Sequence, residues 1–298
     1  MHRMSNSILA LGVFDGVHLG HQALFRRALD IGERANLSPL ALTFSPHPQQ
    51  VVTGNPVPLI QTLDDRLAKI QALFPAIQAI VLDFTPALAQ FSPLQFLHLL
   101  IEQYGAKHLV CGENFRLGKG GACCAIELKK LAQPLGINVD IVEQVTHNNT
   151  LVCSTAIRRL LQEGNIAGAN TLLGTPYQLS GSVRKGKQLG RTIGVPTVNI
   201  SLCPKLLPPA KGVYISEMTV QNFVYPALTN IGTCPTVTGD DILSIETHLL
   251  DFSGGELYGQ TVTLNLLDYL RSEQKFPNLD ALKAQIRQDI QQARKRRL

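Results

Sequence analysis

Two rhythms of apolar and polar positions divide the chain. In the first half, short apolar runs occur at 7–13, 39–44, 79–84, 108–111 and 137–142. Between them, apolar residues recur at three- and four-residue steps over 22–35, 64–74, 93–104 and 126–135. Apolar, β-rich runs alternating with period-3.6 stretches at roughly 30-residue spacing predict βαβ units and an open parallel sheet, with ligands at the carboxyl ends of its strands. A further helical stretch over 154–173 carries a predicted break at Gly164.

After Gly174-Thr175-Pro176 the long helices stop. Six short strand candidates follow, at 178–184, 197–201, 212–220, 223–230, 243–252 and 261–267. In the last, Val262, Leu264 and Leu266 alternate with Thr261, Thr263 and Asn265, the pattern of a half-buried strand. Six such strands with Gly and Pro between them predict a small closed barrel. A final helix is capped by Asn278 and turns Leu279, Leu282, Ile286 and Ile290 to one face. The expected architecture is an α/β domain over 1–174, then a six-stranded β-barrel with a C-terminal helix over 175–298.

Composition narrows the class. The 298 residues suit two domains, and 45% hydrophobic with 16% charged residues suits packed cores rather than disorder. No apolar run reaches the ~18–20 residues of a membrane span. The opening segment runs into Asp15 and His18 without a cleavage site, so it reads as a strand rather than a signal. The expectation is a cytoplasmic protein with no membrane partner. Cys111, Cys123, Cys124, Cys153, Cys203 and Cys234 form no C-x-x-C pair and are expected to be mostly buried thiols. Net charge is +5, but Arg294, Lys295, Arg296 and Arg297 carry four of those charges. The nearly neutral remainder disfavours nucleic acid as a partner, and no obligate protein partner is evident.

Chemistry concentrates first at GVFDGVHLGH, residues 12–21. A strand runs into a turn with Gly12, Gly16 and Gly20, and a helix opens with His18 and His21. Two imidazoles beside the free N–H groups of a helix start make a phosphate cradle. An isolated H-x-x-H would favour an incidental surface pair; the position directly after the first strand, with three glycines, reverses that in favour of the cradle. A second cluster, GSVRKGKQLGRTIGVPTVN over 181–199, interleaves glycines with Arg184, Lys185, Lys187 and Arg191 and could wrap a polyphosphate. In IETHLLDF, residues 245–252, Glu246 and His248 share a strand face. There a carboxylate projecting into the barrel mouth could take a proton from a substrate hydroxyl.

The HxGH segment resembles the nucleotidyltransferase superfamily. Its longer form, FDGVHLGH, resembles the adenylyltransferase half of bacterial bifunctional riboflavin kinase/FAD synthetases. LTFSPHP (42–48), CGENFRLGKGG (111–121) and CSTAIRRLLQEG (153–164) resemble further segments of that half. GVPTVN (194–199), NIGTCPT (230–236), HLLDF, LYGQ (257–260) and LRSEQKF (270–276) resemble the riboflavin kinase module, in the same order along the chain. Four positions depart from the family pattern: Cys153 and Ala156 stand where it has Ser and Arg, Cys234 where it has Arg, and Ser45 where an acidic residue is common.

The resemblance implies a Rossmann-like nucleotidyltransferase domain followed by the kinase barrel. It also implies two reactions: riboflavin phosphorylated by ATP to FMN, then FMN adenylylated to FAD with release of pyrophosphate. It makes Glu246 the kinase base and His18 and His21 the catalytic pair of the transferase. It places nucleotide or flavin at Gly12, Phe14, Asp15, Gly20, Asn114, Ser154, Thr155 and Arg158, and at Gly186, Lys187, Gly190, Arg191, Pro196 and Arg271. It assigns Thr197 and Asn199 to Mg2+, the ion expected to accompany ATP at both sites. Two other readings stay open: a riboflavin kinase whose first domain only binds nucleotide, and a flavin-binding protein without turnover.

Overall fold

The computed structural model describes residues 6–186, 190, 194–235 and 241–295, and of 234, 235, 241 and 242 the backbone. The expected binding residues Lys187 and Arg191 lie outside the described residues. The chain forms two compact units that divide between Ser154 and Thr155.

In the first unit, β1 (Ser7–Leu11), β2 (Ser38–Ser45), β3 (Gln78–Asp83), β4 (Ala106–Gly112) and β7 (Asn138–Val142) form one sheet in the order β3-β2-β1-β4-β7. All its pairings are parallel. Two short hairpins, β5 (Arg116–Leu117) with β6 (Cys123–Cys124) and β8 (Thr146–His147) with β9 (Thr150–Leu151), lie in the connections. The helices are α1 (Leu19–Ala35), α2 (Pro48–Thr53), α3 (Leu63–Leu73), α4 (Pro93–Tyr104) and α5 (Ala125–Ala132). Every residue of β1 is buried, because both faces of the sheet are covered. Leu9 and Leu11 join the cluster under α4 and α5, and Ile8 and Ala10 join the cluster under α1 and α3. Phe25 of α1 is fully buried there, worth ~1.5–3 kcal/mol for a side chain of that size. Pattern reading missed α2 and both hairpins, since two to six residues show no usable period.

The second unit opens with α6 (Ser154–Gln162) and α7 (Ile166–Leu173), separated by Gly164 at φ 77°. The sequence rhythm changes at 174, yet the contacts divide earlier because both helices pack on the barrel. Asn170 of α7 donates through Nδ2 to the Leu266 carbonyl at 2.9 Å and accepts the Tyr177 amide at 2.7 Å. The Ala210 amide donates to the Leu161 carbonyl of α6 at 2.9 Å.

The barrel is closed in the order β10-β11-β14-β13-β12-β15. Its strands are β10 (Tyr177–Arg184), β11 (Val198–Leu202), β12 (Gly212–Val220), β13 (Phe223–Pro235), β14 (Asp241–Leu249) and β15 (Thr261–Arg271). Facing inward, Ser216, Thr229 and Thr247 join hydroxyls at 2.8 and 2.9 Å, which satisfies three buried polar groups without water. Facing outward, Val213, Ile215 and Leu228 meet Ala293 of the closing helix α8 (Leu279–Lys295).

Asn278 caps α8 as expected, accepting the Ala281 amide at 2.9 Å. Of the expected apolar face, Leu279 is 56% exposed, while Leu282, Ile286 and Ile290 are half-buried and Ile290 packs on the barrel; Asp289 and Ala293, on the same face, are its buried residues. Among the described cysteines, Cys111 and Cys123 are buried, while Cys124, Cys153 and Cys203 are half-buried.

Candidate active sites

An open parallel sheet forms its crevice where the strand order reverses. Here β1 and β4 are neighbours, but β1 leads outward to β2 and β4 leads the other way to β7. The crevice therefore opens beyond Leu11 and Gly112. Those two ends carry the histidine turn and, in an exposed turn, Asn114.

The turn is backbone under strain. Phe14, Gly16 and Val17 have φ of 56°, 89° and 47°. Left-handed conformations at non-glycine residues cost ~1–3 kcal/mol each and persist only where surroundings enforce them. The enforcing groups come from three elements. Thr43 of β2 and Arg66 of α3 each donate to the Val13 carbonyl at 2.7 Å. Lys69 of α3 donates to the Gly16 carbonyl at 3.1 Å, and Gln22 of α1 to the Val17 carbonyl at 3.0 Å. The Asp15 carboxylate accepts the amides of Ile60 and Gln61 at 3.0–3.1 Å.

These contacts refine two expectations. Phe14 and Asp15 are buried and work by shaping the turn: the Phe14 ring packs edge-on against His21, with centroids 5.3 Å apart. Glycine is required at 12 and 20 by close approach, since a Cβ at Gly12 would strike the Phe14 ring and one at Gly20 would lie 3.1 Å from the His18 ring.

Helix α1 begins at Leu19, so His18 is its N-cap rather than part of the helix. Its Nδ1 accepts the His21 amide, which leaves Nε2 as the protonated, donating nitrogen. Burial holds the His21 imidazole well below its ordinary range, and His18, Arg66 and Lys69 lower it further. Burial pushes Lys69 down to about 8, and lowers Arg66 against the raising effect of Asp15. Two imidazoles and two cations thus surround one glycine-lined turn, an arrangement that stabilises phosphate charge. Arg66 and Lys69 were not singled out in the sequence. A signal existed: Arg66 occupies a buried position on the face of α3 that also carries Ile70.

Ser154 reaches the same turn, donating from Oγ to the Asp15 carbonyl at 3.0 Å. Thr155 and Arg158 belong to the second unit, where Thr155 is exposed and Arg158 half-buried, three residues apart on one face of α6. Arg159 is exposed and lies 3.9 Å from Glu163.

The second site is a row on the barrel wall. Asn199 of β11 stands opposite Glu246 of β14, which stands opposite Asn230 of β13. Asn230 in turn faces Val213, and Val213 faces Arg271. Directly paired residues project to the same side, and Val213 packs under α8, so this row lies on the outer face. Glu246 therefore points from the wall rather than into the barrel mouth: Ile245, Thr247 and Leu249 fill the interior.

Glycines bring the loop against one end of the row. A Cβ at Gly186 would overlap the Asn199 amide, and one at Gly190 would lie 3.3 Å from the Thr197 hydroxyl. The Pro196 carbonyl accepts from His248 Nδ1 at 2.8 Å, tying this segment to the strand that carries Glu246. At the other end, Asn230 donates to Glu273 at 3.2 Å. Asn230, His248 and Glu273 sit in or beside segments singled out in the sequence, but only strand register assembles them. Arg271, expected at the flavin, is committed to Asp289 of α8.

Comparison with known proteins finds relatives along nearly the whole chain. Residues 1–156 match the FAD synthetase family model and residues 173–297 the riboflavin kinase model. Bifunctional riboflavin kinase/FMN adenylyltransferases from Listeria monocytogenes and Bacillus subtilis are each 36% identical, over 97% of this chain and 92% of theirs. The Escherichia coli K12 protein of that description is 34% identical over 96% of this chain and 91% of its own. A crystal structure described as a macrolide-efflux protein from Streptococcus pneumoniae has a TM-score of 0.88 at 31% identity, covering 97% of this chain and 94% of that one. Efflux is said of that protein; among the described residues here, no helix is long and apolar enough to cross a membrane. The chain belongs to the bifunctional riboflavin kinase/FMN adenylyltransferase family.

Proposed function

We propose that the outer row of the barrel phosphorylates riboflavin and the histidine turn adenylylates the FMN so formed, with roles divided as follows. The observation that carries the kinase assignment is the register Asn199–Glu246–Asn230, which sets one carboxylate between a glycine-lined loop and a polar shelf. Glu246 accepts the proton of the riboflavin 5′-hydroxyl as its oxygen attacks the γ-phosphorus of ATP, and ADP leaves. The Gly186–Gly190 loop holds the nucleotide phosphates.

The residues present fit a magnesium ion. The Asn199 amide lies where a side chain at 186 would begin, and the Val195 carbonyl and the Thr197 hydroxyl lie there at 190, oxygen donors of the kind a hard cation takes. Bound there, magnesium would supply charge neutralisation at the ATP phosphates.

In the first unit the FMN phosphate oxygen attacks the α-phosphorus of ATP, and pyrophosphate leaves. No protein nucleophile is required, because the attacking phosphate is already an anion. His18 offers its Nε2 proton, and the neutral His21 ring supports it by stacking at 3.5 Å. Lys69 and Arg66 add fixed positive charge beneath the turn, where charge develops on the departing pyrophosphate. Ser154 and Asn114 complete the nucleotide contacts of this unit. Domains of 1–174 and 175–298 describe this division of labour, and the chain works in the cytoplasm.

One incubation tests the reading. Purified protein with riboflavin, ATP and magnesium is sampled over time, and the flavins are separated by chromatography. FMN followed by FAD is expected. FMN without FAD would leave the first unit a nucleotide-binding module only, and neither product would leave a non-catalytic flavin-binding protein.

A further inference from the structure

The C-terminal helix is joined to the kinase row by one buried ion pair. Asp289 of α8 has a side chain only 3% exposed and is bound by Arg271 at the end of β15. Arg271 Nε lies 3.1 Å from both carboxylate oxygens, and Nη2 donates to Oδ2 at 2.8 Å. Gln285 Nε2 donates to Oδ1 at 2.9 Å. The remaining guanidinium nitrogen, Nη1, donates to the Ser272 carbonyl at 3.1 Å, and the group lies over the Phe276 ring at 5.8 Å. Arg271 thus ties the first and last residues of the segment 272–276 to a helix.

That segment carries Glu273 to Asn230, the direct cross-strand neighbour of Glu246. Gly232 allows the approach, since a Cβ there would strike the Glu273 carboxylate.

Docking of α8 does not explain the pair. Ile290 and Ala293 already pack on Val213, Ile215 and Leu228. Replacing a buried ion pair with apolar residues is often neutral or stabilising. What a bidentate pair adds is direction, because the planar guanidinium is fixed in orientation by its carboxylate.

We infer that Asp289 is a positioning residue for riboflavin phosphorylation, acting through Arg271 to set the segment 272–276, and with it Glu273, at the acceptor end of the row. The inference rests on the proposed role of Glu246 as base. Asn199 and the glycine loop lie to one side of Glu246, and Asn230 and Glu273 lie to the other. With ATP on the loop side, Asp289 acts on the riboflavin side.

The test measures riboflavin phosphorylation by the full chain, with separate KM values for riboflavin and ATP. The variants are Asp289→Ala, Asp289→Asn and Asp289→Glu, with Glu246→Gln alongside. Thermal unfolding and the KM for ATP in phosphorylation report that the barrel is folded, and adenylylation of supplied FMN reports the same of the first unit. Asp289→Ala and Asp289→Asn are expected to lower kcat/KM for riboflavin roughly ten- to a hundredfold, the scale of an ångström-level misplacement. The KM for ATP should stay unchanged, and Asp289→Glu should recover most of the loss. If Asp289→Ala does not fold, Asp289→Asn, which keeps the size of the side chain, carries the test. Wild-type riboflavin KM and kcat in Asp289→Asn, beside a Glu246→Gln variant that has lost phosphorylation, would overturn the inference. So would an equal rise in both KM values. Normal phosphorylation by Glu246→Gln overturns the base assignment, and the inference with it.

Discussion

His18 closes the helix it precedes and stacks on the histidine it serves. Its Nδ1 accepts the His21 amide at 3.4 Å, and the two rings lie 3.5 Å apart at 20° to each other. The two residues are therefore not equivalent. His18→Ala removes a cap as well as a phosphate donor, whereas His21→Ala removes the ring that orients that donor. Both substitutions are expected to cripple FMN adenylylation and leave riboflavin phosphorylation intact. Thermal unfolding should show His18→Ala destabilised by ~0.5–2 kcal/mol from the cap alone. Loss of FMN formation in either variant would refute the division of labour.

The buried imidazole of His21 makes a pH prediction with a definite sign. Its folded-state pKa lies well below 6.5, mainly through burial. As pH falls below about 6.5 the unfolded chain takes up this proton and the folded chain does not. The unfolded state then binds more protons, so stability falls as pH falls, by at most ~1.4 kcal/mol per pH unit from this group. Unfolding of wild type and His21→Gln, compared between pH 7.5 and 5.5 (about one unit either side of the free imidazole), should show the wild type losing stability faster. Parallel curves would mean that His21 titrates normally.

Lys69 supplies a limb at the alkaline side. It donates to the Gly16 carbonyl, and burial brings it down to about 8. Its charge beneath the turn is therefore lost as pH rises through about 8, and FMN adenylylation should fall with it. Lys69→Met should adenylylate FMN slowly at neutral pH and show no such limb. Lys69→Arg, which stays charged, should keep activity to higher pH. An unchanged alkaline profile in Lys69→Met would remove Lys69 from the site.

Glu246→Gln separates the two reactions in the other direction. A positioned general base contributes typically ~10²–10⁴-fold, so riboflavin phosphorylation should fall on that scale while supplied FMN still becomes FAD. Near-normal FMN formation would withdraw the base assignment.

Much of this molecule follows from local pattern. Short apolar runs between period-3.6 stretches locate the five sheet strands, and alternation helps locate the barrel strands, because burial leaves its mark within a few residues. The histidine turn is equally local: the backbone at Gly16 has a positive φ, and the Phe14 ring closes on Gly12 two residues away.

What the pattern cannot hold is partnership across the chain. Arg66 and Lys69 reach carbonyls 53 positions away. On their own helix only Arg66, one turn before Ile70 on the apolar face, stands out, and nothing local names the carbonyls they meet. Glu246 shows its strand face in the sequence, but whether that face lines the barrel or clothes it depends on register with β11 and β13. Asp289 falls on the apolar face of α8, seven residues after Leu282, and the sequence does not show that its charge is met there by Arg271 arriving from β15. Local sequence determines where the chain is strand, turn or helix, since those preferences act over a few bonds. The tertiary structure alone decides which charges meet, because a buried charge is tolerated only where a distant partner compensates it.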